Sequence, residues 1–115
     1  MRVLVCGGRD YTDERRVFSA LQALQEQYGP FTHVIEGGAS GADRLGFRWA
    51  HSNGISTLTF RANWKAHGRA AGPIRNQKML DDGKPGLVVA FPGGKGTEDM
   101  VSRAGNAGVR VVRVG

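Results

Sequence analysis

The chain carries the sequence LVVAFPGGKGTEDM at residues 87–100, where an apolar run leads into a glycine-rich turn and then into a helical pattern. The apolar run at 87–91 predicts a buried strand, and apolar residues at helical spacing predict a helix from 97 to 106. Glycines let backbone N–H groups approach a phosphate closely, and the start of a helix adds unpaired donors and partial positive charge. We therefore expect a nucleotide or sugar phosphate to bind the loop residues Pro92, Gly93, Gly94, Lys95, Gly96 and Thr97.

Strands and helices alternate along the rest of the chain. Apolar runs predict strands at residues 2–6, 33–36, 56–60, 86–91 and 109–114. Apolar residues at helical spacing predict helices at residues 13–27, 41–53, 73–80 and 97–106. Strands that alternate with helices form parallel sheets covered by helices on both faces. The pattern therefore predicts a single α/β domain over residues 1–115, with three layers and a mainly parallel five-stranded sheet.

Glycine-rich segments follow three of the predicted strands, at residues 7–9, 37–41 and 92–96. Because the carboxyl ends of parallel strands share one edge of a sheet, these loops should converge on a ligand near a topological switch point. The first two loops add the predicted ligand residues Gly8, Arg9, Gly37, Gly38, Ser40 and Gly41. The pattern allows two roles for Ser40, a hydrogen bond to the ligand or the N-cap of the second helix, with Asp43 at capping-box spacing.

Three further side chains lie near the expected ligand edge. Arg75, on the helix before the fourth strand, offers a planar fork for a phosphate, although a helix arginine is also commonly a solvated surface residue. Its neighbour Asn76 is a further candidate for ligand contact. Trp64 lies in the longest polar loop, residues 61–72, where it would stack on a base, close a lid or cover the core.

The composition favours a soluble protein that binds anions. Sixteen basic and ten acidic residues give a formal net charge of +6, but the basic residues are scattered, which favours a small phosphate ligand over nucleic acid. Cys6 is the only cysteine, so an intramolecular disulfide is excluded, and the spacing of the histidines predicts no metal site. No apolar stretch reaches the ~20 residues of a membrane span, and we expect a cytoplasmic protein without a separate cofactor.

The loops match neither of two common nucleotide-binding motifs. Gly96 separates Lys95 from Thr97, so the lysine–hydroxyl pair of a Walker A loop is missing. The segment after the first strand also lacks the spacing G-x-G-x-x-G of dinucleotide-binding dehydrogenases. Both of these enzyme classes are therefore disfavoured.

Four segments together resemble the YspA-like branch of the SLOG superfamily. They are VCGGRD at 5–10, GGASGADR at 37–44, WKAHGRAAGPIRNQKM at 64–79 and FPGGKGT at 91–97. The resemblance covers nearly the whole chain. It implies a Rossmann-like fold, a nucleotide or nucleotide-derived ligand, and a homodimer. Relatives in the superfamily include the LOG proteins, the YpsA-type proteins and the DNA-processing protein DprA.

LOG enzymes hydrolyse the N-glycosidic bond of nucleoside monophosphates, and the resemblance carries their arginine onto Arg75. Their glutamate falls on Met100, which can neither activate water nor stabilise an oxocarbenium-like transition state. Asp43, Glu98 and Asp99 are the candidate substitutes. Three functions stay open: a sensor or carrier of a nucleoside monophosphate, NAD or ADP-ribose, a nucleotide phosphoribohydrolase, and a DprA-like nucleic-acid-binding module.

Overall fold

The computed structural model describes residues 1–115, and its centre is one parallel sheet. The strands are β1 (Arg2–Cys6), β2 (His33–Glu36), β3 (Ser56–Thr59), β4 (Leu87–Ala90) and β5 (Arg110–Arg113). Their order across the sheet is β3-β2-β1-β4-β5, and every pairing is parallel. This is the doubly wound Rossmann order, in which the strand sequence reverses between β1 and β4. The predicted α/β class is confirmed, and the sheet is wholly rather than mainly parallel.

Five helices connect the strands. They are α1 (Glu14–Tyr28), α2 (Ala42–Ser52), α3 (Trp64–His67), α4 (Ala71–Asp81) and α5 (Lys95–Asn106). Apolar residues of α1 and α2 pack with one face of the sheet, and those of α4 and α5 pack with the other. The three predicted layers are therefore present.

The alternation of side chains along β1 shows how the sequence builds two cores at once. Val3 and Val5 join the cluster beneath α1 and α2, whereas Leu4 and Cys6 join the cluster beneath α4 and α5. Successive side chains of a strand point to opposite faces, so a strand buried on both sides must be apolar throughout. Burial of each such side chain contributes roughly 1.5–3 kcal/mol. The polar, glycine-rich residues that follow this strand, Gly7 to Arg9, therefore lie at the carboxyl edge of the sheet.

Several element boundaries differ from the predicted ones. The loop predicted at 61–72 contains α3 and a short 3₁₀ turn, Gly68–Ala70, because the Asn63 side chain accepts a hydrogen bond from the Ala66 N–H and caps α3. Helix α4 begins two residues before Pro73. A proline is tolerated there because the N–H groups of a first helical turn have no intrahelical partner.

No helix of the structure is both long and apolar enough to cross a membrane.

Candidate functional site

The largest cleft lies at the carboxyl edge of the sheet, where β1 and β4 are neighbours. This cleft, called the main cleft below, has a volume of about 950 Å³. The loop after β1 and the loop after β4 form its walls, and α4 contributes a third side. The predicted site residues that line it are Gly8, Arg9, Asp43, Trp64, Arg75, Asn76, Asp99 and all six residues from Pro92 to Thr97. The strand order thus brings the first and third glycine loops together at the switch point.

The two loops interlock through backbone contacts that require glycine. The Gly8 N–H donates to the Pro92 carbonyl at 2.8 Å, and the Gly8 carbonyl accepts from the Ala42 N–H at 3.1 Å. A Cβ at Gly93 would overlap the Thr97 hydroxyl and lie 2.7 Å from the Gly8 nitrogen. Any larger residue at position 93 would push the loops apart, so this glycine fixes the shape of the cleft.

Helix α5 begins inside the wall of the cleft. Gly94 is its N-cap and has no side-chain cap, and the first turn at Lys95, Gly96 and Thr97 lines the cleft. The first N–H groups of a helix have no preceding turn to bond to, and they carry the positive end of the helix dipole. Lys95 adds a positive charge in this first turn, so the arrangement is suited to an anion.

Arg75 reaches the cleft from α4 and is fixed at its base. Its Nη1 donates to the Gly37 carbonyl at 2.6 Å, and its Nε donates to the Asn76 Oδ1 at 3.0 Å. A Cβ at Gly37 would lie 2.7 Å from the Arg75 Cζ, so the second glycine loop must be bare where the guanidinium crosses it. Burial lowers the pKa of Arg75, and the nearby Asp43 opposes that effect. Arg75 is therefore a positioned residue of the cleft and not a solvated surface arginine.

Asn76 connects Arg75 to the loop after β4 and the first turn of α5. The buried Asn76 amide accepts from Arg75 through Oδ1, and its Nδ2 donates to the Gly96 carbonyl at 3.2 Å and to the Asp99 Oδ2 at 3.0 Å. Arg103 also donates to the Asp99 carboxylate at 2.9 Å. Burial alone would raise the pKa of Asp99, but the hydrogen bonds from Arg103 and Asn76 outweigh it and lower the pKa. Asp99 is thus held ionised in a structural network.

Asp43 is a carboxyl group of the cleft with a raised pKa. The side chain is buried, and its Oδ2 accepts from the Gly37 N–H at 3.0 Å and the Ala39 N–H at 3.3 Å. Burial raises the pKa of Asp43 to about 6, and the charge of Glu36 adds to this, while the backbone hydrogen bonds and Arg75 oppose it. A carboxyl group that titrates near neutrality inside a cleft is suited to general acid–base chemistry.

Glu98 and Met100 lie in different surroundings from Asp43. Glu98 does not line the cleft, and both of its oxygens accept from the Arg113 guanidinium at 2.9 Å. The hydrogen bond from Arg113 lowers the pKa of Glu98. Met100 lines the cleft but is buried in the core beneath α4 and α5. Of the three carboxylates proposed as substitutes for the LOG glutamate, Asp43 and Asp99 reach the cleft and Glu98 does not.

The second glycine loop faces a smaller pocket beside the main cleft. This pocket, called the arginine pocket below, has a volume of about 280 Å³. It is lined by Arg9, Gly37, Gly38, Ala39, Ser40, Arg61, Ala62, Trp64 and Arg75. Arg61 was missed in the sequence, although it follows β3 at the same edge of the sheet and the carboxyl-edge rule would have found it.

Ser40 does not cap α2, so the predicted capping box is wrong. Gly41 is the N-cap, with φ +75°, and it has no side-chain cap. The Ser40 hydroxyl instead donates to the Arg9 carbonyl at 3.1 Å, while the Asp43 carboxylate accepts from the N–H groups of Gly37 and Ala39. Gly41 lines neither pocket, and a Cβ there would overlap the carbonyl of Gly8. Close backbone contact between the first two loops leaves no room for the geometry of a serine cap.

Arg9 and Trp64 separate the two pockets and line both of them. The Arg9 Cζ lies 5.1 Å from the centre of the Trp64 ring, within the range of a cation–π contact. The Trp64 side chain is 47% exposed, so it does not cover the core. An exposed aromatic ring at the mouth of a cleft is available to stack on a planar ligand.

The fold and the cleft define a Rossmann-like α/β domain with glycine loops at the switch point. A crystal structure of glycinamide ribonucleotide transformylase 1 from Symbiobacterium toebii shares the fold, with a TM-score of 0.57 and 18% sequence identity over 98% of this chain. The chain spans 50% of the length of that transformylase, so the likeness concerns the fold alone.

The family follows from two sequence comparisons. The model of the YspA, cpYpsA-related SLOG family matches residues 1–67. The gene 61 protein of Mycobacterium phage D29 is 35% identical over 123 residues, which cover 99% of this chain and 96% of that protein. The chain belongs to the YspA, cpYpsA-related SLOG family, and this confirms the resemblance seen in its motifs. Family and fold together point to a nucleotide-related function.

Proposed function

We propose that the main cleft binds a nucleotide or nucleotide-derived ligand of the nucleoside monophosphate, NAD or ADP-ribose type, as a sensor or carrier. The observation that carries this proposal is the start of α5, which opens into a cleft walled by two interlocked glycine loops. Free helix N–H groups and Lys95 would hold a phosphate. The exposed Trp64 ring, at the mouth of the same cleft, would stack on the base.

A titration monitored by tryptophan fluorescence tests this proposal. Trp49 is buried at 2% exposure, so a change of emission on adding AMP, NAD or ADP-ribose would report mainly on Trp64. Lys95→Gln should weaken binding about three- to tenfold, because it removes one charge-assisted contact to phosphate. Lys78→Gln, an exposed position on α4 outside the cleft, is the matched control and should leave affinity unchanged. Absence of binding by all three compounds at millimolar concentration would refute the proposal.

A second candidate function is hydrolysis of the N-glycosidic bond of a nucleotide, and the position of Asp43 favours it. In this reaction the C1′–N bond breaks, water adds its oxygen to C1′, and the base leaves with a proton. The Asp43 carboxylate would take a proton from the attacking water, and Arg75 would hold the phosphate or the developing negative charge. In this mechanism the carboxylate comes from Asp43 on α2, so the reaction does not require the glutamate that LOG enzymes carry at the position of Met100.

Release of free base, followed by chromatography, tests the hydrolytic function. Asp43→Asn should abolish release while nucleotide binding persists, and Arg75→Ala should reduce both. Asp99→Asn serves as the comparison, because that carboxylate lines the same cleft but is already held by Asn76 and Arg103. If base release survives Arg75→Ala undiminished, the role assigned to Arg75 is wrong. If the wild-type protein binds nucleotide and releases no base, the protein is a sensor or carrier.

We also propose homodimer formation, a cytoplasmic location and, as an alternative function, nucleic-acid binding. The first comes from the resemblance, the second from a sequence without a stretch of membrane-span length, and the third from the net charge of +6 and the kinship with DprA. Light scattering, cell fractionation and a salt titration with single-stranded DNA test them in turn. Binding to a phosphate backbone should weaken steeply as salt rises, and a flat response would reject it.

A further inference from the structure

The arginine pocket is adjacent to the main cleft, and no residue of the loop after β4 lines it. Most of its lining comes from the loops after β2 and β3, which lie on the other side of β1 from β4. Arg9, Ala39, Trp64 and Arg75 line both spaces. One ligand could therefore contact both spaces across the Arg9–Trp64 pair.

Three arginines, Arg9, Arg61 and Arg75, line the arginine pocket, and no carboxylate residue lines it. The ion pairs of the protein are Arg48–Glu14, Arg103–Asp99 and Arg113–Glu98, so none of these three arginines belongs to an ion pair. Arginines that converge on one pocket without an ion-pair partner are a composition that recognises phosphate.

The cluster is oriented by the second glycine loop. Arg61 Nη1 donates to the Gly38 carbonyl at 3.3 Å, and Arg75 Nη1 donates to the neighbouring Gly37 carbonyl. Two carboxylates whose charges act on Arg75 are bonded by the same loop, since Glu36 Oε1 accepts from the Gly38 N–H at 2.9 Å and Asp43 accepts from the Gly37 N–H. The backbone of this loop thus occupies an oxygen of each carboxylate and orients two of the three guanidinium groups.

We propose that the arginine pocket is a second anion subsite, and that the natural ligand is a nucleotide carrying a second phosphate group. This rests on the proposed function, because the first phosphate is assigned to the start of α5. The volume of about 280 Å³ accommodates a phosphate with part of a ribose and is too small for a complete dinucleotide. The second phosphate belongs either to a diphosphate bridge or to a ribose hydroxyl, and both present anionic phosphoryl oxygens to Arg61.

The affinities of three probes test the proposal: AMP with one phosphate, NAD with a diphosphate bridge, and adenosine 3′,5′-bisphosphate with its second phosphate on the ribose. At least one of the latter two should bind the wild-type protein more tightly than AMP. Arg61→Gln should weaken that ligand about tenfold and AMP less than about twofold, since one charge-assisted contact is lost only by the second phosphate. Arg44→Gln, an exposed position on α2 that lines neither pocket, controls for the change in net charge.

The outcomes separate this inference from the proposed function. If all probes bind and Arg61→Gln weakens them equally or not at all, the second subsite is wrong while nucleotide binding stands. If AMP binds as tightly as both bisphosphorylated probes, the second subsite is likewise wrong. If no probe binds, the proposed function fails. A circular dichroism melt of each variant at the titration salt concentration shows that the fold is retained.

Discussion

Replacing Asp43 with asparagine tests whether the charge on this buried carboxylate costs the protein stability. The side chain is 6% exposed, and burial is the main cause that raises its pKa from 3.8 to about 6. The unfolded chain therefore loses this proton at a lower pH than the folded protein does. Because the folded state binds the proton more tightly, this group's contribution to stability is greatest below its unfolded pKa and falls as the pH rises to about 6.

The size of the effect follows from the difference between the two pKa values. A difference of ~2 units corresponds to ~3 kcal/mol, which is the full cost of the charge above about pH 7. Asparagine keeps an oxygen that can accept from the Gly37 and Ala39 N–H groups but carries no charge. Asp43→Asn should therefore be more stable than the wild type by ~2–3 kcal/mol at about pH 8 and by less than ~1 kcal/mol at about pH 4.

Urea unfolding followed by circular dichroism at both pH values measures this difference directly. Asp82→Asn, which removes an exposed carboxylate just after α4, controls for the loss of one negative charge. The reasoning would be refuted by an Asp43→Asn protein that is less stable than the wild type at the higher pH. A stability difference that stays constant between the two pH values would refute it as well, because the gain must come from titration.

Three other substitutions probe the loops around the cleft. Gly93→Ala should destabilise the protein by ~1–3 kcal/mol and weaken nucleotide binding, because its Cβ would overlap the Thr97 hydroxyl and crowd the Gly8 nitrogen. Gly94→Ala meets open space and should barely change the melting temperature, so equal melting temperatures of the two variants would contradict this. Gly41→Ala should lower the free energy of unfolding in urea more than Gly54→Ala does. Both glycines have positive φ, but only Gly41 also abuts backbone carbonyls. Equal losses would mean that backbone strain alone sets the effect. Asn76→Asp should lower both the melting temperature and the nucleotide affinity, because it replaces two donated hydrogen bonds by a negative charge beside Asp99. An unchanged affinity would remove Asn76 from the site.

The local features of the fold were readable in the sequence. Alternating apolar strands and amphipathic helices predicted the three layers, and the position of each glycine-rich segment after a strand predicted loops at one edge of the sheet. These features depend on spacings of two to four residues, which backbone geometry imposes on any strand or helix. The glycine turn at 92–96 followed by a helix belongs to the same group, because the two are contiguous in the chain. Helix α5 nevertheless begins at Lys95, two residues before the predicted start, because Gly94 is its N-cap.

How distant segments meet became clear from the tertiary structure. The order β3-β2-β1-β4-β5 sets the loops after β1 and β4 face to face, and it sets β5 beside β4 so that Arg113 captures Glu98. The arginine pocket arises because Arg9, Arg61 and Arg75 come from three separate segments. The glycine-rich segments that would contact a ligand could be predicted from the sequence, since their pattern depends on neighbouring residues. Which charges surround the ligand depends on strand pairing across the sheet, and no local pattern encodes that pairing.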